Sequence, residues 1–219
     1  MTEHDPTLYQ SPQWLDELRS RHQDPEFRSA LDARSKQWEQ EQASDRAESI
    51  VRALSDAGVP TAVQNYARSP RPTEALSLVS VWTQSKARWL VLSGPTGIGK
   101  SVAAAHAVVL AGYGRWLDVW TACRASDGKR DRNDRTLWER CETTRLLIVD
   151  DLGTEDAETR DRMTRTLVAR DNAGMRTVVT TNLAPPDLAR MYDRRLIDRI
   201  ATSIHAIAQG SLRNQEDWP

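Results

Sequence analysis

The segment GPTGIGKS at residues 94–101 sets glycines, a lysine and a hydroxyl in a fixed order. Gly94, Gly99, Lys100 and Ser101 meet the G-x-x-x-x-G-K-[S/T] spacing. In it glycines let backbone N–H groups wrap phosphates, the lysine neutralises them and the hydroxyl meets magnesium. Pro95, Thr96, Gly97, Ile98 and Val102 complete the candidate nucleotide-binding stretch. A helix starting at Lys100 points the positive end of its dipole at the same anion. Asp150 and Asp151 follow the apolar run LLIV, so a buried strand delivers two carboxylates at its carboxyl end, where open α/β sheets bind ligands. Asp150 is suited to hold magnesium, directly or through water, and Asp151 to orient and deprotonate an attacking water. The Asp151 side chain is one methylene shorter than the glutamate many such sites carry, which predicts slow hydrolysis. Asn182 closes VVTTN, from where a carboxamide reaches a terminal phosphate or its attacking water, although Thr and Asn at strand ends also simply form turns. Arg194, Arg195 and Arg199 in YDRRLIDRI read either as a solvated helix face or as guanidinium groups offered to a neighbouring subunit's nucleotide.

These residues need a scaffold, and the patterning supplies one. WLVLS at 89–93 ends in the glycine-rich segment, and Val102 to Ala111 continues as a helix stopped by Gly112. Further strands are predicted over Trp116–Trp120, Leu146–Val149, Thr177–Thr180 and Ile204–Ala208. Strands that alternate with helical patterns imply a mostly parallel sheet covered on both faces. Ahead of the first strand, Ala75, Leu76, Leu78, Val79 and Trp82 share one helical face between Thr73 and Ser85. An earlier helix is predicted from Ser49, stopped by Gly58 and Pro60.

Before about Ala47 apolar residues are sparse. Trp14 with Leu18, and Phe27 with Leu31 and Trp38, fall at helical spacing, so this stretch reads either as a short helical arm that docks on a partner or as partly disordered chain. The division expected is an arm at 1–47 and an ATPase domain at 48–219. Residues 1–50 carry eleven acidic and six basic side chains, net −5, which leaves +4 for the remainder of an overall −1. No strongly basic balance advertises nucleic acid. No apolar run approaches the roughly 18 residues that span a bilayer, and the start is polar and acidic, which argues against export or a membrane. Two cysteines, Cys123 and Cys141, are too few for a disulfide framework or a four-ligand zinc site, so reduced thiols in a cytoplasm are expected.

Taken in order, GPTGIGKS, LLIVDDLGTE, LVARDNAGMRTVVTTNL, RRLIDRI and GSLR resemble the DnaC/IstB branch of the AAA+ ATPases, relatives of the initiator DnaA, over about Gly58 to Arg213. The aspartate pair followed by Leu152, Gly153, Thr154 and Glu155 is the most specific element. The resemblance implies a P-loop NTPase fold, three-layer α/β/α with a mostly parallel five-stranded sheet, preceded by the N-terminal arm. It implies Walker A at Gly94 to Ser101, Walker B at Asp150 and Asp151, sensor 1 at Asn182 and an arginine finger at Arg199, with Arg195 as the alternative. It also points to Arg170 and Arg213 as nucleotide or subunit contacts. About ten residues follow the last expected strand, too few for the helical lid of many AAA+ proteins. Thr121 to Thr144 lies where initiator-type relatives insert a helix that lines a DNA channel. Here it holds Arg124, Lys129, Arg130, Arg132 and Arg135, diluted by Asp127, Asp131 and Asp134.

The function implied is an ATP- and magnesium-dependent switch in DNA replication, with hydrolysis stimulated by assembly. A DnaC-like helicase loader would grip a replicative helicase through residues 1–47 and assemble as a ring or spiral on single-stranded DNA. An IstB-like transposition ATPase on duplex DNA is the alternative. A protein-binding switch that never touches DNA is a third, favoured by the near-zero net charge.

Overall fold

Unbroken apolar runs such as WLVLS and LLIV belong in a sheet buried on both faces, and the fold provides one. The computed structural model describes residues 24–127 and 132–208. Its strands are β1 (Trp89–Ser93), β2 (Arg115–Asp118), β3 (Leu146–Leu152), β4 (Arg176–Thr181) and β5 (Ile204–Ala206). All pair in parallel, in the order β2-β3-β4-β1-β5. Alternate residues serve opposite layers, as the two-residue period of a strand requires. Leu90, Leu92, Ile148 and Val178 enter one core; Trp89, Val91, Leu147, Val149 and Val179 enter the other.

Among the described residues the helices are α1 (Pro25–Asp56), α2 (Thr61–Ala67), α3 (Glu74–Gln84), α4 (Lys100–Ala111), α5 (Val119–Asp127), α6 (Arg132–Thr143), α7 (Ala157–Asn172), α8 (Pro185–Met191) and α9 (Arg194–Ile200). The first core takes Ala75, Val79 and Trp82 of α3 and Ala103, Ala104, Ala107 and Val108 of α4. The second takes Trp138 and Cys141 of α6, Met163 and Leu167 of α7, Leu188 of α8, and Leu196 and Ile200 of α9. Each fully buried aliphatic side chain contributes ~1.5–3 kcal/mol. Three α/β/α layers result, with the parallel sheet in the middle.

The chain divides into two compact units, Met1–Glu48 and Ser49–Pro219. In the first, residues 28–48 are exposed throughout, and Trp38 keeps 61% of its surface. Its helical structure therefore rests on propensity and local pairs such as Gln37 Nε2 to Glu41 Oε1 (2.9 Å) rather than on burial. Within the second, Leu54 is fully buried and Ile50 and Ala53 pack against the first core.

Boundaries depart from the sequence expectation where side chains cap the backbone. The helix expected from Ser49 is the end of α1, which starts at Pro25. The second strand stops at Asp118 instead of Trp120, because the Asp118 carboxylate accepts from the N–H of Trp120 (3.3 Å) and Thr121 (3.2 Å) and opens α5 there. The third runs past Val149 to Leu152 through a bulge, and the fifth closes at Ala206. Trp14, Leu18 and Arg213, the side chains of Arg124, Lys129, Arg130, Arg132 and Arg135, and the expected absence of a lid lie outside the described residues. No helix among the described residues is long and apolar enough to cross a membrane.

Candidate functional site

β1 lies between β4 and β5, and the glycine-rich loop leaves from its carboxyl end. The Gly94 N–H donates to Thr181 O (3.2 Å). A Cβ on Gly94 would stand 2.7 Å from Ile207 O and 2.8 Å from Ile98 Cδ1, so only glycine fits between the loop and the chain beyond β5. Gly97 and Gly99 take φ of +82° and +87°, left-handed geometry that favours glycine, while the fully buried Ile98 side chain anchors the loop. Gly99 caps α4 without a side chain, leaving the first-turn N–H groups to an incoming anion.

Lys100 is only 5% exposed. Its ammonium donates to Gly94 O (2.8 Å), Pro95 O (2.7 Å) and Asn182 Oδ1 (3.0 Å). Burial lowers its pKa, opposed by the charges of Asp151 and Asp150. Lysine and Asn182 thus meet across the exits of β1 and β4.

The acidic side is held by one hydroxyl. Thr180 Oγ1, fully buried, donates to Asp150 Oδ1 (2.6 Å) and accepts from the Asp151 N–H (3.0 Å). Asp151 has φ +61°, the only positive value at a non-glycine position among the described residues. Aspartate is among the side chains that tolerate this region. Thr154 Oγ1 closes the turn on Asp151 O (2.9 Å). Thr180 escaped the sequence reading because a threonine in a β-branched strand looks like strand propensity alone; the TT before Asn182 was the available signal.

Burial pushes the Asp150 carboxyl up to about 6, against the lowering effect of hydrogen bonds from Thr180 and Ser101. A carboxyl raised on folding takes up a proton between its unfolded value of 3.8 and about 6. Its contribution to stability is full below that window and lost as pH rises through it. Melting of the metal-free protein followed from pH 4 to 7 should show wild type losing ground to Asp150→Asn across this interval; parallel curves would contradict the assignment.

No group of three or more His, Cys, Asp or Glu side chains able to hold a metal ion occurs among the described residues. Ser101 and Asp150 fit a cation that draws its other ligands from phosphates and water, as magnesium does.

Two cavities adjoin this cluster. One of about 270 Å³ is lined by Thr96, Gly97, Lys100, Ser101, Asp151 and Asn182, with Tyr66 at its side. The other, about 410 Å³, opens between α2, the following turn and α4, against Tyr66, Pro70, Arg71, Leu76, Val102 and Ala103. The two cavities share Tyr66, Gly99 and Val102, so they adjoin along one side of the loop. The α2 contribution, Asn65 and Tyr66, was hidden in the sequence between two proline breaks.

Arg199 lies beside the start of β1. Its Nε is 3.1 Å from Asp171 Oδ2, a carboxylate that also accepts from Trp89 Nε1 (2.8 Å), and its Nη1 donates to Arg195 O (2.7 Å). The length of β1, roughly 3.3 Å per residue, separates this corner from Gly94. Arg199 is therefore outside its own chain's site. Arg194 and Arg195 are freer, with side chains 92% and 82% exposed and long ion pairs of 3.6 and 4.0 Å.

Arg170, expected as a nucleotide or subunit contact, is neither. It is fully buried and donates to Thr177 Oγ1 (3.0 Å) and to the carbonyls of Cys141 (2.5 Å), Thr144 (2.8 Å) and Arg176 (2.6 Å). Burial lowers its pKa to about 10, so it stays charged at neutral pH. It holds the carboxyl end of α6 onto α7 and β4.

No family model and no curated protein matches the chain. Solved structures do. A structure of DnaI matches with TM-score 0.54 and 20% identity over 64% of this chain and 82% of that one. The DnaC helicase loader matches with 0.51 and 18% over 68% and 90%. The replication initiator DnaA bound to AMPPCP and single-stranded DNA matches with 0.53 and 14% over 61% and 45%. This chain also spans 48% of the length of a DNA replication initiation factor it resembles at TM-score 0.56. In fold, the chain is thus similar to DnaI, the DnaC helicase loader and DnaA.

Proposed function

We propose that this chain binds ATP with magnesium and hydrolyses it slowly, as an assembly-stimulated switch in DNA replication that acts like a DnaC-type helicase loader on single-stranded DNA. The observation that carries the proposal is the convergence of Lys100, Ser101, Asp151 and Asn182 on one cavity, with Asp150 behind them and a second cavity alongside.

Lys100 exchanges its loop carbonyls for phosphate oxygens, and the loop N–H groups and the start of α4 bind the same charge. Ser101 and Asp150 hold the cation, which when bound neutralises charge on the phosphates. Asp151, fixed by its turn, accepts a proton from the attacking water, and the Asn182 carboxamide orients that water. Arg199, or Arg195, reaches the nucleotide of an adjacent copy in a ring or spiral.

Asp151→Asn keeps the hydrogen bonds of the turn and removes only the basic oxygen. It should bind ATP as wild type does and lose turnover by about 10²–10⁴-fold, the usual worth of a general base. Calorimetry with magnesium and ATP, paired with phosphate release, checks both halves; unchanged turnover would remove Asp151 from the mechanism.

The DnaC and DnaA likenesses motivate the partners, and the exposed helix of the first unit motivates where the helicase docks. Deleting residues 1–47 should spare nucleotide binding and abolish capture of a replicative helicase; retained capture would place that contact elsewhere. Preference for duplex over single strands in filter binding would instead support an IstB-like transposition adaptor.

A further inference from the structure

Beneath the Asp151 turn lies a buried polar cluster that the reaction above leaves unused. The Glu155 side chain is completely buried. Its Oε2 accepts from the Gly153 N–H (2.8 Å). Its Oε1 accepts from the Tyr192 hydroxyl and, at 3.4 Å, from Arg160 Nε, while Arg160 Nη2 donates to Glu155 O (3.1 Å). Burial, then the bond to Glu155, raise the Tyr192 pKa, so its hydroxyl stays protonated and donating.

Each end of this cluster is fixed to something that matters. On one side Gly153 has φ +105°, and a Cβ there would meet Leu183 Cδ1 at 2.5 Å, so the turn carrying Asp151 packs closely on Leu183 and takes only glycine there. Thr181 Oγ1 holds it further through Leu152 O (2.6 Å). On the other side Tyr192 ends α8 and immediately precedes Asp193, whose carboxylate accepts from the Arg195 N–H (2.7 Å) and starts α9. One carboxylate therefore joins the turn that faces the nucleotide to the helix that carries Arg194, Arg195 and Arg199.

We propose that Glu155 and Tyr192 are positioning residues forming a buried link between the Asp151 turn and α9, through which a nucleotide seated in the site resets how the arginines are presented to an adjacent copy. The proposal rests on the nucleotide reading above. Its physical basis is that a close-packed interior shifts between discrete arrangements rather than deforming freely. A turn pressed by a bound metal–nucleotide must carry Glu155 with it or strip a donor from a buried carboxylate, which is disfavoured. A purely structural staple would also tie the two segments together, but would leave α9 indifferent to nucleotide.

The test is hydrogen exchange on the full chain with and without magnesium and a non-hydrolysable ATP analogue, after calorimetry has measured analogue binding to each protein. In wild type the analogue should slow exchange in peptides covering 194–200 by about threefold or more. Tyr192→Phe, which removes one hydroxyl, should bind the analogue with affinity within about threefold of wild type yet show no such slowing. Glu155→Gln keeps an oxygen for Tyr192 but turns an amide donor toward the Gly153 N–H; it carries the same expectation and replaces Tyr192→Phe if that variant melts too early to bind. Equal slowing in wild type and variant overturns the link, as does a wild type that binds the analogue with no change at 194–200. A wild type that binds no analogue overturns the nucleotide reading itself, and this proposal falls with it.

Discussion

Lys100→Ala should abolish measurable ATP binding while leaving the fold intact. The ammonium is the main cationic group facing the cavity, and hydrogen bonds to charged partners are worth about 1.5–3 kcal/mol each. Two such bonds to phosphate correspond to a loss on the order of 10²–10⁴-fold in affinity. Stability responds differently. In the unliganded chain Lys100 is held by two loop carbonyls and Asn182, but its burial penalises the charge, as its lowered pKa records. These contributions oppose each other, so the melting temperature should stay near that of wild type. Calorimetry and a melting scan on the same preparation check the pair: a variant that binds ATP normally removes the phosphate-binding assignment.

Arg170→Met should produce the largest loss of stability with no direct effect on the site. The C-terminal carbonyls of a helix have no partners within it, and in α6 the Arg170 guanidinium supplies them for Cys141 and, just beyond the helix, Thr144. The negative end of the α6 dipole and these carbonyls compensate its charge. Methionine fills much of the volume but strands several buried acceptors, and breaking a buried charged network costs about 3–5 kcal/mol. At roughly 2–4 °C per kcal/mol for a chain of this size, the melting temperature should fall by on the order of 10 °C. Arg170→Lys should recover only part, because an ammonium lacks the planar fork that spans these acceptors. Denaturant unfolding gives the measurement; a shift below about 1 kcal/mol would show that the acceptors find other partners.

The contrast between these two cations explains what the sequence could disclose. Lys100 sits in a loop whose glycine, lysine and hydroxyl spacing follows a phosphate-binding pattern, so spacing alone singled it out, together with Ser101 and the strand–loop–helix around them. Asp150, Asp151 and Asn182 were legible because apolar strands end on them. Arg170 was misread because α7 buries a stripe of Thr159, Met163, Thr166, Leu167 and Arg170, in which polar side chains stand among the apolar residues that periodicity detects. Thr180 and Tyr192 were missed, and Glu155 was seen only as part of a motif, for a related reason. Each is defined by a partner distant in the chain, and one-dimensional spacing does not encode such pairing. The second cavity needed α2 and α4 to be brought together, which depends on the packing of the first core.

The register of β1 has a consequence for biosynthesis. Trp89 pairs with Thr177 and Val91 with Ile204, and Gly94 packs against Ile207. Parallel pairing between segments so far apart carries a large loop-closure entropy and is slow to form. A nascent chain halted on the ribosome before residue 204 has already displayed GPTGIGKS and both aspartates, yet lacks the strand on one side of β1 and the wall behind Gly94. Competence to recognise a ligand should therefore arrive abruptly, as β5 clears the exit tunnel.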